Sequence, residues 1–216
     1  MAEKKYTPMM QHYLKMKEEN PDAILFYRLG DFYEMFFDDA KLASQELDLV
    51  LTGRSAGVEE KVPMCGVPFH AANSYISRLV KKVYKVAICE QLEDPSSAKG
   101  LVDRGIVKII TPGTYMDATM DAKSTNYMAS CSVSSFEITV IYCELSTGEL
   151  KYQTLQRSLV ALQKALLEQN VSELVCPMTM DKKWIAALEE MDTMLVSKHK
   201  KSNIDLQDLP LLNEIE

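Results

Sequence analysis

The chain is poor in the residue groupings that announce an enzyme. No G-x-x-x-x-G-K-S/T, G-x-G-x-x-G, G-x-S-x-G or H-E-x-x-H occurs in its 216 residues, so nucleotide hydrolysis, dinucleotide binding and serine or zinc hydrolysis lack support. Histidine occurs three times and never in a paired ligand spacing, which argues against zinc. The five cysteines (Cys65, Cys89, Cys131, Cys143 and Cys176) are odd in number, form no C-x-x-C pair and mostly sit in apolar runs, so they read as buried reduced thiols. No apolar run approaches the roughly 18 to 20 residues that cross a bilayer. The start, Met1 to Tyr6, lacks the apolar core of a signal peptide, and a cytosolic-type chain is expected. Cationic charge is also short, with 24 Lys and Arg against 31 Asp and Glu and a net charge of -7, which argues against a wholesale basic coat for nucleic acid. A local basic site is still allowed, because residues up to Tyr115 hold 15 basic and 16 acidic side chains, whereas those beyond hold 9 and 15.

The length predicts one large or two small domains. Thr7-Pro8 reads as an N-cap and a first-turn proline, opening a helix over about 8–19. The apolar run 24–29, the turn pair Gly30-Asp31 and the run 32–35 read as a hairpin, and Asp38-Asp39 opens a second helix to about Leu47. Residues 52–61 carry Gly53, Gly57 and several charges without an apolar period, and read as a surface loop or hairpin tip. A helix over 72–82 and two buried strands, 83–89 and 107–110, complete an α+β unit. The polar stretch 117–125 is the best linker in the chain. After it come three strands, 127–133, 137–145 and 149–155, as a meander, then helix 158–169, strand 171–176, helix 182–191 and strand 194–197. That alternation predicts an α/β layer with parallel strand pairs.

The conspicuous segment is Phe32-Tyr33-Glu34-Met35-Phe36-Phe37, where aromatic side chains crowd around a carboxylate. Strand periodicity puts Phe32 and Glu34 on one face and Tyr33 and Met35 on the other. The segment is either sandwiched between helices, or it exposes Phe32 as an apolar wedge of the kind that enters a base step from the minor groove, with Glu34 as its polar companion. Residue pattern alone leaves both open.

Five ordered blocks carry a family resemblance. Thr7-Pro8-Met9-Met10-Gln11, Phe26 to Glu34, Pro63 to His70, Val86 to Gln91 and Ile109 to Thr114 resemble the amino-terminal mismatch-binding domain of the MutS family of DNA mismatch-repair proteins. The second half, with Leu145-Ser146-Thr147-Gly148-Glu149 after a strand, is more weakly similar to the start of that family's RNase H-like connector domain. The resemblance implies an α+β mismatch-binding domain (a mixed sheet with helices) over 1–115, a linker over 116–126 and an α/β connector domain over 127–216. It also implies that the chain is part of a longer protein, since the family's clamp, lever and P-loop ATPase regions are absent.

By the same resemblance, an F-x-E motif reads the lesion in mismatched double-stranded DNA, with Phe32 stacking on the mispaired or unpaired base and Glu34 hydrogen-bonding it. Mispaired bases are cheaper to unstack and bend than Watson-Crick steps, so a wedge turns local weakness into selective affinity. A carboxylate in a polyanion's groove is disfavoured as the ion, so the neutral acid can donate to the base. Arg54 and Lys61 would position phosphates, and Met64 would make a second apolar contact near the groove. His70 reads as a structural histidine, and the Arg78, Lys81, Lys82 and Lys85 face as solvated. The resemblance further implies that this chain is a binding module rather than an enzyme and needs no cofactor. ATP and Mg would belong to the full-length protein, a cytoplasmic, nucleoid-associated homodimer working with downstream repair proteins and no membrane. Two other classes are kept: a protein-interaction module in the acidic second half, and an RNase H-like nuclease with Glu144 as a two-metal ligand.

Overall fold

The computed structural model describes residues 6–92, 102–116 and 125–199. They fall into two compact units, Met1–Ser124 and Thr125–Glu216. The stretch 117–124 within the expected linker, the first five residues and the chain end lie outside the described residues. No helix among the described residues is long and apolar enough to cross a membrane.

The first unit is a six-stranded mixed sheet with helices on both faces. Its elements run α1 (Pro8–Glu19), β1 (Ala23–Leu29), β2 (Phe32–Phe36), α2 (Phe37–Leu47), β3 (Thr52–Arg54), β4 (Val62–Pro68), a 3-10 turn (Phe69–Ala71), α3 (Ala72–Lys81), β5 (Lys85–Gln91) and β6 (Arg104–Ile110). The sheet order is β3-β4-β2-β1-β5-β6, with β1 and β5 parallel. Pro8 does start α1, but the Thr7 side chain caps nothing; its backbone N–H donates to Ala56 O at 2.8 Å and ties the helix start to the following loop.

Side chains of alternate parity build two cores. Phe26, Tyr33, Met35, Cys65 and Val67 face α2 and α3, while Leu25, Tyr27, Phe36 and Val62 pack under Met10, Tyr13 and Met16 of α1. Burying these large side chains supplies the main stabilisation, each worth about 1.5–3 kcal/mol. The turn from β2 into α2 is abrupt: Phe37 has φ 54°, strained for a bulky residue. Buried Asp39 in the first turn of α2 compensates by accepting from the Leu25 backbone N–H at 2.9 Å and Lys17 Nζ at 2.8 Å, joining β1, α1 and α2.

Two expectations change. Of the segment read as a loop or hairpin tip, residues 52–54 are the edge strand β3, paired antiparallel with β4 from Thr52↔Met64 to Arg54↔Val62, and only 55–61 connect the two strands, because the backbone groups of β3 satisfy the open side of β4. The 107–110 strand is longer and less buried than expected: β6 is the other edge strand and leaves Val107 and Ile109 exposed.

The second unit is a five-stranded sheet of order β11-β10-β7-β8-β9. The meander β7 (Tyr127–Val133), β8 (Glu137–Glu144) and β9 (Glu149–Gln156) is followed by α4 (Leu159–Glu168), β10 (Val171–Pro177), α5 (Lys182–Glu189) and β11 (Leu195–His199). Pairs β7/β10 and β10/β11 are parallel, and β8 runs against β7 and β9. Leucines of both helices pack on Ala129, Val140, Tyr142 and Leu174.

Candidate nucleic-acid interface

The site is carried by the β1–β2 hairpin. Its loop has two residues, and Gly30 sits at φ 58°, the left-handed conformation that such short connections demand and that glycine adopts without strain. The register Leu29↔Phe32, Arg28↔Tyr33, Tyr27↔Glu34 then assigns every side chain to a face. Tyr33 and Met35 go to the α2/α3 core, and Phe32 and Glu34 go to the α1 side. Helix α1 covers Phe36, whose ring meets Tyr13 edge-on at 4.9 Å, but leaves Phe32 47% exposed. The segment is thus divided, with Phe36 packed under the helix and the Phe32 ring exposed.

Glu34 is half-buried beside Phe32, and its carboxylate accepts a hydrogen bond from Arg54 Nη1. Its Cα partner on β4 is Gly66, where a Cβ would come within 3.3 Å of Tyr33 O and 3.5 Å of Glu34 Cγ, so glycine leaves the room that the side chain uses. Arg54 reaches Glu34 from β3 with its guanidinium 5.9 Å from the Phe36 ring centroid. Two of the expected site residues are thus each other's partners.

Met64 lies on the same face, between Phe36 and Thr52 in register, yet it is half-buried against the α1 core, with Thr52 Oγ1 donating to its carbonyl at 3.1 Å. Lys61 is exposed in the β3–β4 loop and has no ion-pair partner among the described residues; its stem lies over Gly53, where a Cβ would meet Lys61 Cβ at 2.9 Å. Phe32, Glu34, Arg54 and Met64 share the α1 face, and Lys61 stands at the loop beside it.

Other readings are corrected by their surroundings. His70, read as a structural histidine, is exposed, with its ring edge-on to Phe69 at 5.9 Å. The basic face is solvent-exposed at Arg78, Lys81 and Lys82, as expected, but it also makes contacts within the fold: Arg78 donates to Leu47 O at 3.1 Å and pairs with Asp48, Lys82 pairs with Glu46 at 2.7 Å, and half-buried Lys85 pairs with Asp22 at 2.6 Å. Cations thus satisfy the open carbonyls at the C-terminal end of α2, where Asp48 adopts φ 57°.

Glu144 is 5% exposed, and its carboxylate is consumed by its own turn. It accepts from Ser146 Oγ at 2.8 Å, Thr147 N at 2.7 Å and Thr147 Oγ1 at 2.6 Å, bonds that hold its carboxyl well below the usual range. Among the described residues no three His, Cys, Asp or Glu side chains converge to hold a metal ion. The sequence also holds no phosphate-cradling G-x-x-x-x-G-K-S/T loop. Four of the five cysteines are buried, and burial pushes the Cys65 thiol up to about 11 and Cys89 and Cys131 to about 12, far from reactive.

The sequence reading missed the cluster behind the hairpin. Arg28 stacks on Phe69, lies over Tyr33 and pairs with Glu90. The Arg28–Tyr33 neighbourhood follows from the two-residue loop, but Phe69 and Glu90 come from distant segments that no local spacing announces.

Comparison with known proteins identifies the family. The family described as MutS domain I matches residues 7–119. The chain is similar to the DNA mismatch repair protein MutS of Clostridium botulinum strain Loch Maree, at 47% identity over 210 residues, covering 92% of this chain and 22% of that protein. It is 52% identical over 177 residues to the protein of the same name from strain 657, covering 77% and 19%. The MutS protein of Clostridium tetani is 46% identical over 200 residues, covering 91% and 22%. The chain thus spans about a fifth of the length of these relatives.

Proposed function

This chain belongs to the MutS family, and from that premise we propose that its first unit recognises mismatched or unpaired bases in double-stranded DNA from the minor groove, with Phe32 as the wedge and Glu34 as the polar contact. The observation that carries the reading is the 47% exposure of Phe32 at the end of a strand whose remaining aromatic residues are buried. A large apolar ring held in water at a hairpin end is a cost to the free protein that stacking on a base removes.

The selectivity comes from the DNA. A mismatched step gives up little stacking and pairing when it is opened, so insertion and bending cost less there than at a matched step. Phe32 supplies a π-face that any base can use, worth about 1–3 kcal/mol. Glu34 adds a directional contact and penalises a groove that offers it none. Lys61, unpaired and exposed, takes a phosphate, while Arg54 serves both the phosphate backbone and Glu34. Met64 extends the apolar floor behind them.

The rest of the reading is for the protein of which this chain is a part. The second unit is an RNase H-like connector, a proposal supported by a sheet in which β8 alone runs against its neighbours. It serves to join and dock other repair proteins rather than to cut DNA, since Glu144 is spent on its turn. ATP with Mg and the contacts of a homodimer belong to regions of the relatives that this chain does not match. The site of action is the cytoplasm, on nucleoid DNA.

The test is a titration of fluorescent G·T and matched duplexes with the 216-residue chain and its Phe32→Ala variant. With a net charge of -7, binding is expected to be micromolar or weaker at physiological salt, because few phosphates are neutralised. At low salt the wild-type chain prefers the G·T duplex and the variant does not. Equal affinities of wild type for both duplexes at every salt concentration would refute the wedge.

A further inference from the structure

The hairpin that presents Phe32 is held from behind by a cluster of Arg28, Tyr33, Phe69 and Glu90. Arg28 is the Cα partner of Tyr33, so its side chain leaves the sheet on the face opposite Phe32. Its guanidinium stacks 3.8 Å from the Phe69 ring centroid, lies 5.5 Å from that of Tyr33 and has Nη1 3.8 Å from Glu90 Oε1. The Tyr33 hydroxyl donates to the same Glu90 oxygen. Arg28 Nε donates to Gly30 O, and the Phe69 backbone N–H donates to Asp31 O at 2.9 Å. Both carbonyls of the two-residue loop are therefore held by this cluster, and Phe32 is the next residue in the chain.

We infer that Arg28 is a positioning residue for base recognition: with Phe69 as its platform, it fixes the Gly30–Asp31 turn so that the exposed Phe32 ring is already oriented before DNA arrives. The inference rests on the wedge reading of Phe32. Hairpin tips open easily, and every torsion left free until binding subtracts ordering entropy from the affinity. A mismatch is distinguished by a modest energy difference, so a wedge that must first be ordered loses selectivity before it loses folding. Arginine suits the task because one flat, delocalised cation can stack on an aromatic ring, donate to a carbonyl and face a carboxylate at once. A lysine ammonium keeps the charge near Glu90 but cannot form the stack and the fork together.

The experiment uses the 216-residue chain at low salt, comparing wild type, Phe32→Ala, Arg28→Lys and Phe69→Leu. Three readouts are taken: the ratio of G·T to matched-duplex affinity by anisotropy, the melting temperature, and amide exchange across residues 30–32. The expected result for Arg28→Lys and Phe69→Leu is a ratio lowered about threefold or more, matched-duplex affinity within about twofold of wild type, and faster exchange confined to the turn. Cooperative melting close to wild type separates this from loss of the fold. If Phe32→Ala abolishes the preference while Arg28→Lys and Phe69→Leu leave it intact, Arg28 is merely structural and the inference is overturned with the wedge standing. If Phe32→Ala itself leaves the ratio unchanged, the wedge and the inference fall together.

Discussion

Arg54 and Glu34 are bound to each other across the intervening strand β4, so the carboxylate beside Phe32 carries its own counter-cation in the free protein. On the proposed reading Glu34 faces a polyanion, where a lone glutamate is a repulsive element that Arg54 offsets. The pair is partly exposed, so its intrinsic worth is small, about 0.2–1 kcal/mol. Its effect on DNA is larger, because removing one member leaves the other to face the phosphates alone.

Arg54→Ala is accordingly expected to weaken matched-duplex binding by roughly three- to tenfold at low salt, since it removes a cation and unmasks an anion together. Glu34→Ala should raise matched binding and shrink the preference for mismatches. The double variant should bind matched DNA more tightly than Arg54→Ala alone, with a non-additivity of about 0.5–1 kcal/mol in an anisotropy double-mutant cycle. Strict additivity would mean that the two side chains act independently on DNA.

Phe32 and Phe36 lie four residues apart in one motif and should respond oppositely. Phe36→Ala opens a cavity under Tyr13 and should cost about 3–5 kcal/mol of stability. Phe32→Ala should change the melting temperature little, yet lower mismatch preference by roughly ten- to a hundredfold in a protein that carries its full set of DNA contacts. Calorimetry on both variants checks the first half of this contrast, and a duplex titration the second. A collapsed melting temperature for Phe32→Ala would place that ring in the core.

Glu144 predicts an acid dependence for the second unit. Its carboxyl is depressed first by the Thr147 hydroxyl and then by that of Ser146. A group depressed on folding adds stability that is complete above its ordinary value of 4.5 and is lost as pH falls through the lower folded value. Wild type should therefore melt above Glu144→Gln at pH 6, and the gap should narrow progressively below about pH 4.5. A gap that stays constant down to pH 2.5 would show that the turn bonds do not depend on the ionised form.

The β3–β4 loop should exchange amide hydrogens unevenly. Ala56 is buried and its carbonyl holds Thr7, whereas Gly57 sits at φ 84° and residues 57–61 carry three charges on little apolar anchoring. Exchange at 57–61 should be faster than in β1 and β5 and should slow on adding duplex DNA, as Lys61 takes up a phosphate. Uniform protection across 52–61 without DNA would contradict this.

The elements were legible from the chain because their signals are local. Pro8 starts α1 where expected, the Gly30-Asp31 pair turns the hairpin, and period two separates Phe32 and Glu34 from Tyr33 and Met35, all from residues within a few positions of one another. Edges were misread for a matching reason: whether 52–54 and 107–110 are loop, edge or buried strand depends on what pairs beside them, and pairing partners lie outside any local window.

Local pattern placed Phe32 and Glu34 on one strand face and put basic residues in a glycine-containing segment near them in the chain, without saying which face is open. How these side chains are placed came from packing. It turned Phe36 inward under α1 and left Phe32 out, drew Arg54 onto Glu34 across β4, brought Phe69 and Glu90 to Arg28, and spent Arg78, Lys82 and Lys85 on intramolecular carboxylates. Periodicity assigns a residue to a face, whereas the partner it meets there is set by strand order and register, which bring together segments that sequence distance keeps apart.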